Sequence, residues 1–236
     1  MCSKTKINMK KLVVLTGAGM SAESGISTFR DAEGLWEGHD IMEVASPEGF
    51  TDNPELVLEF YNKRREQLKH VSPNQGHFNL KQLEKHFEVY IVTQNVDDLH
   101  ERAESKNVLH LHGELRKVRS TTNEYLVYNW EDDLVLGDLA EDKSQLRPHI
   151  VWFGEAVPMI DKAAELVSEA DIVVIIGTSM QVYPAAGLVS YAKHNTPIYF
   201  IDPKPSIRET DFENLTIIQS GAVDGTITLA DLLLQS

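Results

Sequence analysis

Short, wholly apolar runs alternate along this chain with longer stretches in which apolar residues recur every three to four positions. The first run, Leu12-Val13-Val14-Leu15, has no polar side and reads as a buried strand. It leads into Gly17-Ala18-Gly19, after which Met20 to Ser24 are expected to open a helix. Further strands are predicted over residues 89–93, 108–112, 171–176, 198–201 and 215–218. Helices predicted over 159–169, 184–194 and 224–234 separate most of them. Nearer the N-terminus, Asn53 has the side chain of a helix cap and Pro54 suits the first helical position. Leu56, Val57, Phe60, Tyr61 and Leu68 then fall at helical spacing through Lys69. A second helix is predicted over 76–86, with Phe78, Leu80 and Leu83 as its buried positions.

Apolar strands alternating with helices predict an α/β fold, a Rossmann-like, doubly wound and mostly parallel sheet. Two segments interrupt the alternation. Residues 32–75 read as a helical insert, and 116–147 as a short antiparallel insert carrying Tyr125, Tyr128, Trp130 and Leu134. The expectation is one domain over 1–236, with a core of 8–31, 76–115 and 148–236 and a small module of 32–75 and 116–147. Ligands of doubly wound sheets lie beyond the carboxyl ends of the strands. Gly17, Gln94, Gly113, Gly177 and Asp202 are predicted at such ends.

Composition narrows the partners. The 36 acidic residues outnumber the 22 basic ones, for a formal net charge of −14. That charge disfavours unspecific binding to nucleic acid or anionic membrane and favours basic partners. Cys2 is the only cysteine, so an intramolecular disulfide and a cysteine-only metal cage are excluded. Lys4, Lys6, Lys10 and Lys11 before the first apolar run have the look of a leader, but the run is too short for one. A cytoplasmic protein is expected.

The candidate chemistry gathers at the predicted strand ends. Gly17 and Gly19 let a bulky anion approach the main chain, but such glycines serve dinucleotide sites and plain tight turns alike. Thr93-Gln94-Asn95-Val96-Asp97-Asp98-Leu99-His100 offers amides and carboxylates, or a polar helix cap. His110 and His112 share one predicted strand face, and spacing alone does not choose between them as a base. Asp202 either caps the following turn or accepts ribose hydroxyls and repels a 2′-phosphate.

Ser24-Gly25-Ile26-Ser27-Thr28-Phe29-Arg30-Asp31 has no role in an ordinary dehydrogenase turn. With the glycines before it, the stretch resembles the first signature of the sirtuins, the NAD-dependent protein deacylases. That signature usually reads Gly-Ala-Gly-x-Ser-x-x-Ser-Gly-Ile-Pro-x-Phe-Arg, and Ser27 replaces its proline. The stretch from Gln94 to His100, then Leu111-His112-Gly113, Pro148-His149-Ile150-Val151-Trp152-Phe153-Gly154-Glu155 and Gly177-Thr178-Ser179 resemble further sirtuin segments in the family's order.

The resemblance implies an NAD site and a mechanism. Gly17, Ala18, Gly19, Ser21, Ala22 and Glu23 would contact NAD from the first loop, followed by Phe29, Arg30 and Trp36. Gly177, Thr178, Ser179, Asp202 and Val223 would contact it from later strand ends. Asn95 and Asp97 would line the nicotinamide pocket, and Gln94 would contact the nicotinamide ribose. The family's base is the histidine directly before glycine, here His112, which leaves His110 and His100 structural. The acyl oxygen of the substrate displaces nicotinamide, and His112 then takes a proton from a ribose hydroxyl. Nicotinamide, free lysine and 2′-O-acyl-ADP-ribose are the implied products.

Substrate and metal follow from the same resemblance. The segment 148–155 is either a buried edge strand or a peptide-pairing loop, in which an extended acyl-lysine peptide would pair with Val151, Trp152, Phe153, Gly154 and Glu155 on one side and with Gln181, Val182 and Tyr183 on the other. Phe60-Tyr61-Asn62-Lys63-Arg64-Arg65-Glu66 resembles the Tyr-x-x-Arg motif of desuccinylase-type sirtuins, so Tyr61 and Arg64 are expected to read acidic acyl groups such as succinyl or malonyl. Most sirtuins hold a structural zinc on two cysteine pairs in the antiparallel insert. Ser120 stands where the first thiolate is expected, and no metal is predicted. Competing readings are a Rossmann oxidoreductase, a protein ADP-ribosyltransferase and a binding module without turnover. Against the first, no acidic residue closes a strand about twenty residues after Gly17.

Overall fold

A computed structural model describes residues 9–27, 35, 36 and 38–235 of the chain. The side chains of Leu35 and Trp36 lie outside the described residues, as do Phe29 and Arg30 entirely. In chain order, β1 (Lys11–Thr16) leads to the short α1 (Gly19–Ala22), and β2 (Leu35–Trp36) pairs with β3 (His39–Asp40). Three helices follow: α2 (Ile41–Val44), α3 (Pro47–Asp52) and the long α4 (Pro54–His70). Next come α5 (Gln75–Leu83), β4 (Glu88–Thr93), α6 (Leu99–Arg102) and β5 (Val108–His110). The strands β6 (Gly113–Ser120), β7 (Val127–Asn129) and β8 (Leu146–Ile150) form a second sheet. The chain closes with α7 (Ile160–Glu169), β9 (Ile172–Ile176), β10 (Ile198–Ile201), β11 (Leu215–Ile218) and α8 (Ala222–Leu234).

The six-stranded sheet runs β11-β10-β9-β1-β4-β5, and every pairing in it is parallel. The predicted doubly wound sheet is thus observed. Successive strands move one way from β1 through β4 and β5, and the other way through β9, β10 and β11. The winding reverses between β1 and β9, and sheets of this kind hold ligands in a crevice beyond the strand ends at such a switch point. Both faces of the sheet are covered, which explains why β1 shows no polar side. Leu12 and Val14 pack toward Leu80, Leu83, Leu229 and Leu233 of α5 and α8. Val13 and Leu15 pack toward Ala163 and Val167 of α7 and toward Leu188.

Four predicted elements change. The first helix is a single turn at Gly19–Ala22, too short to add much dipole at its start. The helix predicted over 76–86 ends at Leu83, and Phe78 is exposed while His77 is fully buried. Here α5 turns its His77 side inward, so Phe78, one position along, faces solvent. The strand predicted over 108–112 stops at His110, and residues 184–194 form a 3₁₀ helix over Ala185–Tyr191 in place of an α-helix.

The second sheet is antiparallel, in the order β7-β6-β8, and α4 covers it. The helix starts where expected: Asn53 Oδ1 accepts the Leu56 N–H at 3.1 Å, and Pro54 occupies the first turn. Val57, Phe60, Tyr61 and Leu68 pack on Leu115, Ile150 and Trp152, while Leu58 reaches Val118 and Leu134. Full burial of such a side chain is worth about 1.5–3 kcal/mol in transfer free energy. Ser120 is buried at the end of β6, and its Oγ lies 2.7 Å from both Asp142 Oδ2 and Ser144 Oγ. The same oxygen accepts the Thr122 and Asn123 N–H groups. Among the described residues, no three His, Cys, Asp or Glu side chains converge as a metal site, and no helix is long and apolar enough to cross a membrane.

Candidate active site

In-register pairing sets the strand ends level. Thr16 lies opposite Thr93 and Ile176, and Ile176 opposite Ile201. Their successors Gly17, Gln94, Gly177 and Asp202 therefore form one ledge. The Gly17 N–H donates to the Ile176 carbonyl at 3.0 Å, and the Gly19 N–H to the Gly177 carbonyl at 2.8 Å. A Cβ on Gly19 would sit 2.6 Å from Gly177 Cα, and Gly177 itself has φ +61°. Only glycines let these two loops meet backbone to backbone at the switch point.

Behind the ledge, Ser21 joins two residues of the next loop. Its hydroxyl donates to Asp97 Oδ2 at 2.8 Å and accepts from Asn95 Nδ2 at 3.0 Å. Asp97 Oδ1 also accepts the Leu99 N–H at 3.1 Å. Burial raises the Asp97 pKa above the usual carboxylate value, against the pull of the Ser21 and Leu99 bonds. Gln94 Nε2 donates to Thr178 Oγ1 at 3.2 Å, so the β4 and β9 loops are tied across the crevice. Asp202 is buried and accepts the Lys204 N–H at 2.8 Å, which is the turn-capping alternative at work. Glu23 Oε2 accepts the Val223 N–H at 2.9 Å, so these two expected NAD contacts first bind each other at the start of α8. Ala18 and Ala22 flank the α1 turn, and Ser179 follows Thr178 on the far side.

The structure separates the two candidate histidines. His112 Nδ1 lies 3.1 Å from the Gln94 carbonyl oxygen, which accepts only. The ring proton therefore sits on Nδ1, and Nε2 keeps its lone pair. Burial lowers the His112 pKa, outweighing the upward effect of that bond, so the imidazole is neutral near pH 7. Gly113 has φ +84°, and a Cβ there would stand 2.0 Å from the His149 carbonyl oxygen. The residue after His112 must be glycine for β6 to start beside β8. His100 is buried with Nε2 3.2 Å from Thr16 Oγ1 and its ring 4.8 Å from that of His77, a structural placement.

The 151–155 loop differs from the expected pairing edge. Val151, Trp152, Phe153 and Glu155 spend their N–H groups on the His112 carbonyl, Glu155 Oε2, the Ala45 carbonyl and the Trp152 carbonyl. Phe153 and Val182 are exposed. Trp152 is buried, and its indole Nε1 donates to Tyr61 Oη at 3.0 Å. Arg64, one turn along α4, lies with its guanidinium carbon 4.8 Å from the Phe60 ring centre.

Two arginines of this region were not singled out from the sequence. Arg147 lies 3.3 Å from the Trp152 ring centre and donates to Glu155 Oε1 at 2.7 Å. Arg119 reaches the same carboxylate at 3.2 Å. The one available signal was position, since Arg147 directly precedes the Pro148–Glu155 segment.

Comparisons with known proteins follow this geometry. The Sir2 family model matches residues 17–184. The chain is 60% identical over 227 residues to an NAD-dependent protein deacylase of Helicobacter pylori, covering 96% of this chain and 99% of that protein. It is 53% identical over 232 residues to one of Bacteroides thetaiotaomicron, with 96% and 99% coverage. Among solved structures, a Sir2 homologue–NAD complex superimposes with a TM-score of 0.84 at 38% identity, over 97% of this chain and 91% of that one. A family model matched over most of the chain and relatives this similar along their whole length show that the chain belongs to the Sir2 family.

Proposed function

We propose that the protein is an NAD-dependent protein-lysine deacylase that yields free lysine, nicotinamide and 2′-O-acyl-ADP-ribose. One observation carries the reading. The Gln94 carbonyl, on the strand-end ledge, accepts the Nδ1–H of His112 and leaves Nε2 as a base, with the Ser21–Asn95–Asp97 cluster behind that ledge. The curated relatives named above carry this activity in their names, and family membership removes the oxidoreductase alternative.

The donor set fits NAD. A carboxamide needs both a donor and an acceptor, which Asn95 and Asp97 supply; a ribose diol is matched by Gln94, Thr178, Ser179 and Asp202. When bound, NAD supplies a ribose carbon made electrophilic by its bond to nicotinamide. Asn95 and Asp97, tied through Ser21, orient the nicotinamide end. The 151–155 loop and Val182 hold the peptide. His112 takes a proton at Nε2 from a ribose hydroxyl, and burial keeps it unprotonated for that task.

Acidic acyl groups are the preferred substrates in this reading. Tyr61 and Arg64 stand one turn apart on α4, and Trp152 already fills one lone pair of the Tyr61 hydroxyl. A tyrosine hydroxyl and a guanidinium fork are the groups that bind a carboxylate, and these two share one face of α4. The cytoplasm, where NAD is made and used, is the place this activity fits. Mass spectrometry of acetyl-, malonyl- and succinyl-lysine peptides, with and without NAD, tests the proposal. NAD-dependent loss of the acyl mass with matching nicotinamide release is expected. NAD consumption without deacylation, or label transfer to a protein, would overturn it.

A further inference from the structure

His110 has no part in the chemistry above, yet both of its ring nitrogens are engaged. Nδ1 lies 3.1 Å from the Asn95 carbonyl oxygen, and Nε2 lies 2.8 Å from Glu101 Oε1. A carbonyl oxygen and a carboxylate accept hydrogen bonds and donate none. A neutral imidazole has a single N–H and satisfies one of them. Both bonds together require the doubly protonated ring. His112 repeats the first half of this arrangement on the preceding carbonyl, Gln94, but among the described residues no carboxylate bonds its other nitrogen.

The surroundings favour the cation. His110 lines a cavity of about 220 Å³ behind the Asn95–Asp97 loop. Facing it are Asp97 and Asp98 of that loop, Glu101 of α6, Glu114, Arg116 and Lys117 of β6, and Glu131 after β7. Arg116 pairs with Asp98 and Glu131, and Lys117 with Glu114, which leaves Glu101 to His110. His100, also on α6, feels the His110 charge, and its own pKa is lowered, chiefly by burial. Burial alone would lower the His110 pKa, but the Glu101 bond and charge outweigh it and raise the value.

We propose that His110 is a positioning residue, held as an imidazolium by Glu101, that pins the Asn95 main chain and so sets the Ser21–Asn95–Asp97 arrangement for nicotinamide. The proposal rests on the reading of Asn95 and Asp97 as the nicotinamide residues. Loss of the His110 proton breaks one of its two bonds and frees either the Asn95 carbonyl or Glu101. Productive NAD binding then weakens on the alkaline side, while peptide binding, on the far side of His112, is untouched.

The test measures KM for NAD, KM for peptide, nicotinamide inhibition and kcat from about pH 6 to 9.5, a range that brackets and exceeds the ordinary imidazole pKa. It uses the full-length enzyme, with melting temperatures alongside. In the native enzyme, KM for NAD should rise through an alkaline step. Glu101→Gln keeps an acceptor but removes the charge, and should move that step to lower pH. His110→Phe should abolish the step and raise KM for NAD at every pH by about ten- to a hundredfold, the worth of one charge-assisted hydrogen bond. His110→Asn carries an amide donor that does not titrate and should restore part of the NAD affinity without a step. An unshifted step in Glu101→Gln, or equal losses for NAD and peptide in His110→Phe, would overturn the proposal. Asn95→Ala separates the failures. If it impairs NAD use while His110→Phe does not, only this proposal falls; if Asn95→Ala is normal, the nicotinamide reading falls with it.

Discussion

Trp152 donates its indole N–H to the Tyr61 hydroxyl across 3.0 Å, joining residues 91 apart in sequence. Both side chains are buried, and the bond holds the tyrosine oxygen against the indole. Arg64→Met should cut kcat/KM for succinyl-lysine by about ten- to a thousandfold, because one partner of a desolvated charge pair is lost at about 2–5 kcal/mol. Acetyl-lysine turnover should change much less. Tyr61→Phe should show the same selectivity and also lower stability by about 1–3 kcal/mol, since it leaves the Trp152 N–H buried without a partner. Steady-state kinetics on matched peptides, with thermal melts, check both. Equal slowing of succinyl and acetyl substrates would remove the specificity role.

With His112 as the base, its protonation sets the acid limb of the reaction. Burial holds its pKa below the usual 6.5, so the unprotonated base persists into mildly acidic solution and kcat/KM should fall only below that value. The same shift acts on stability. The unfolded chain binds this proton and the folded one resists it, so the contribution is present above pH 6.5 and is lost as the pH falls toward and through the folded value. His112→Ala should lose about two to four orders of magnitude in turnover, with NAD binding retained by calorimetry. Near-normal turnover of that variant would rule out His112 as the base.

Glu155 neutralises two guanidiniums and also accepts the Trp152 N–H at 2.8 Å. Its side chain is 20% exposed and that of Arg147 9%. Glu155→Gln leaves Arg147 and Arg119 facing each other without a carboxylate. A loss of about 2–4 kcal/mol is expected, below the full cost for a dry pair because Glu155 touches water. At about 2–4 °C per kcal/mol for a chain of this size, the melting temperature should drop visibly. Desolvation pulls the Glu155 pKa up, but Arg147 and the Trp152 N–H pull it further down, below 4.5. Its stabilisation is therefore present above pH 4.5 and is lost as the pH falls through the folded value. A melting temperature unmoved by the substitution would show the cluster to be incidental.

The small antiparallel sheet should not depend on zinc. Ser120 takes up its corner with hydroxyl and amide bonds, and Asp142, its carboxylate partner, is held well below the usual pKa, chiefly by the Ser120 and Ser144 hydroxyls. Strong chelators should leave both melting temperature and activity unchanged. Ser120→Ala should cost about 1–3 kcal/mol, because the Thr122 and Asn123 N–H groups lose their acceptor. Stoichiometric zinc in the purified protein, lost together with folding on chelation, would contradict this account.

What the chain determined by itself was local. The strands at 198–201 and 215–218 coincide with β10 and β11, because each is a short, mostly apolar run that ends at a polar residue. The α4 start was legible because Asn53 and Pro54 act on their own next turn. Gly17-Ala18-Gly19 and His112-Gly113 stood out because backbone geometry there demands glycine, and Gln94 to Asp97 because amides and a carboxylate follow a strand directly. What only the tertiary structure decided were relations between distant segments. Ser21 meets Asn95 and Asp97 from 74 and 76 residues away, and Glu23 meets Val223 across 200. His110 and His112 are the same residue type on neighbouring positions, but a carboxylate from α6 makes one a cation and burial keeps the other neutral. Phe78, expected to be buried, is exposed for the same reason: α5 packs on α8, with Asn79 bonded to Thr226, 147 residues later, and turns His77 inward. Periodicity reports that a helix has an inner face, while the partner that arrives chooses it.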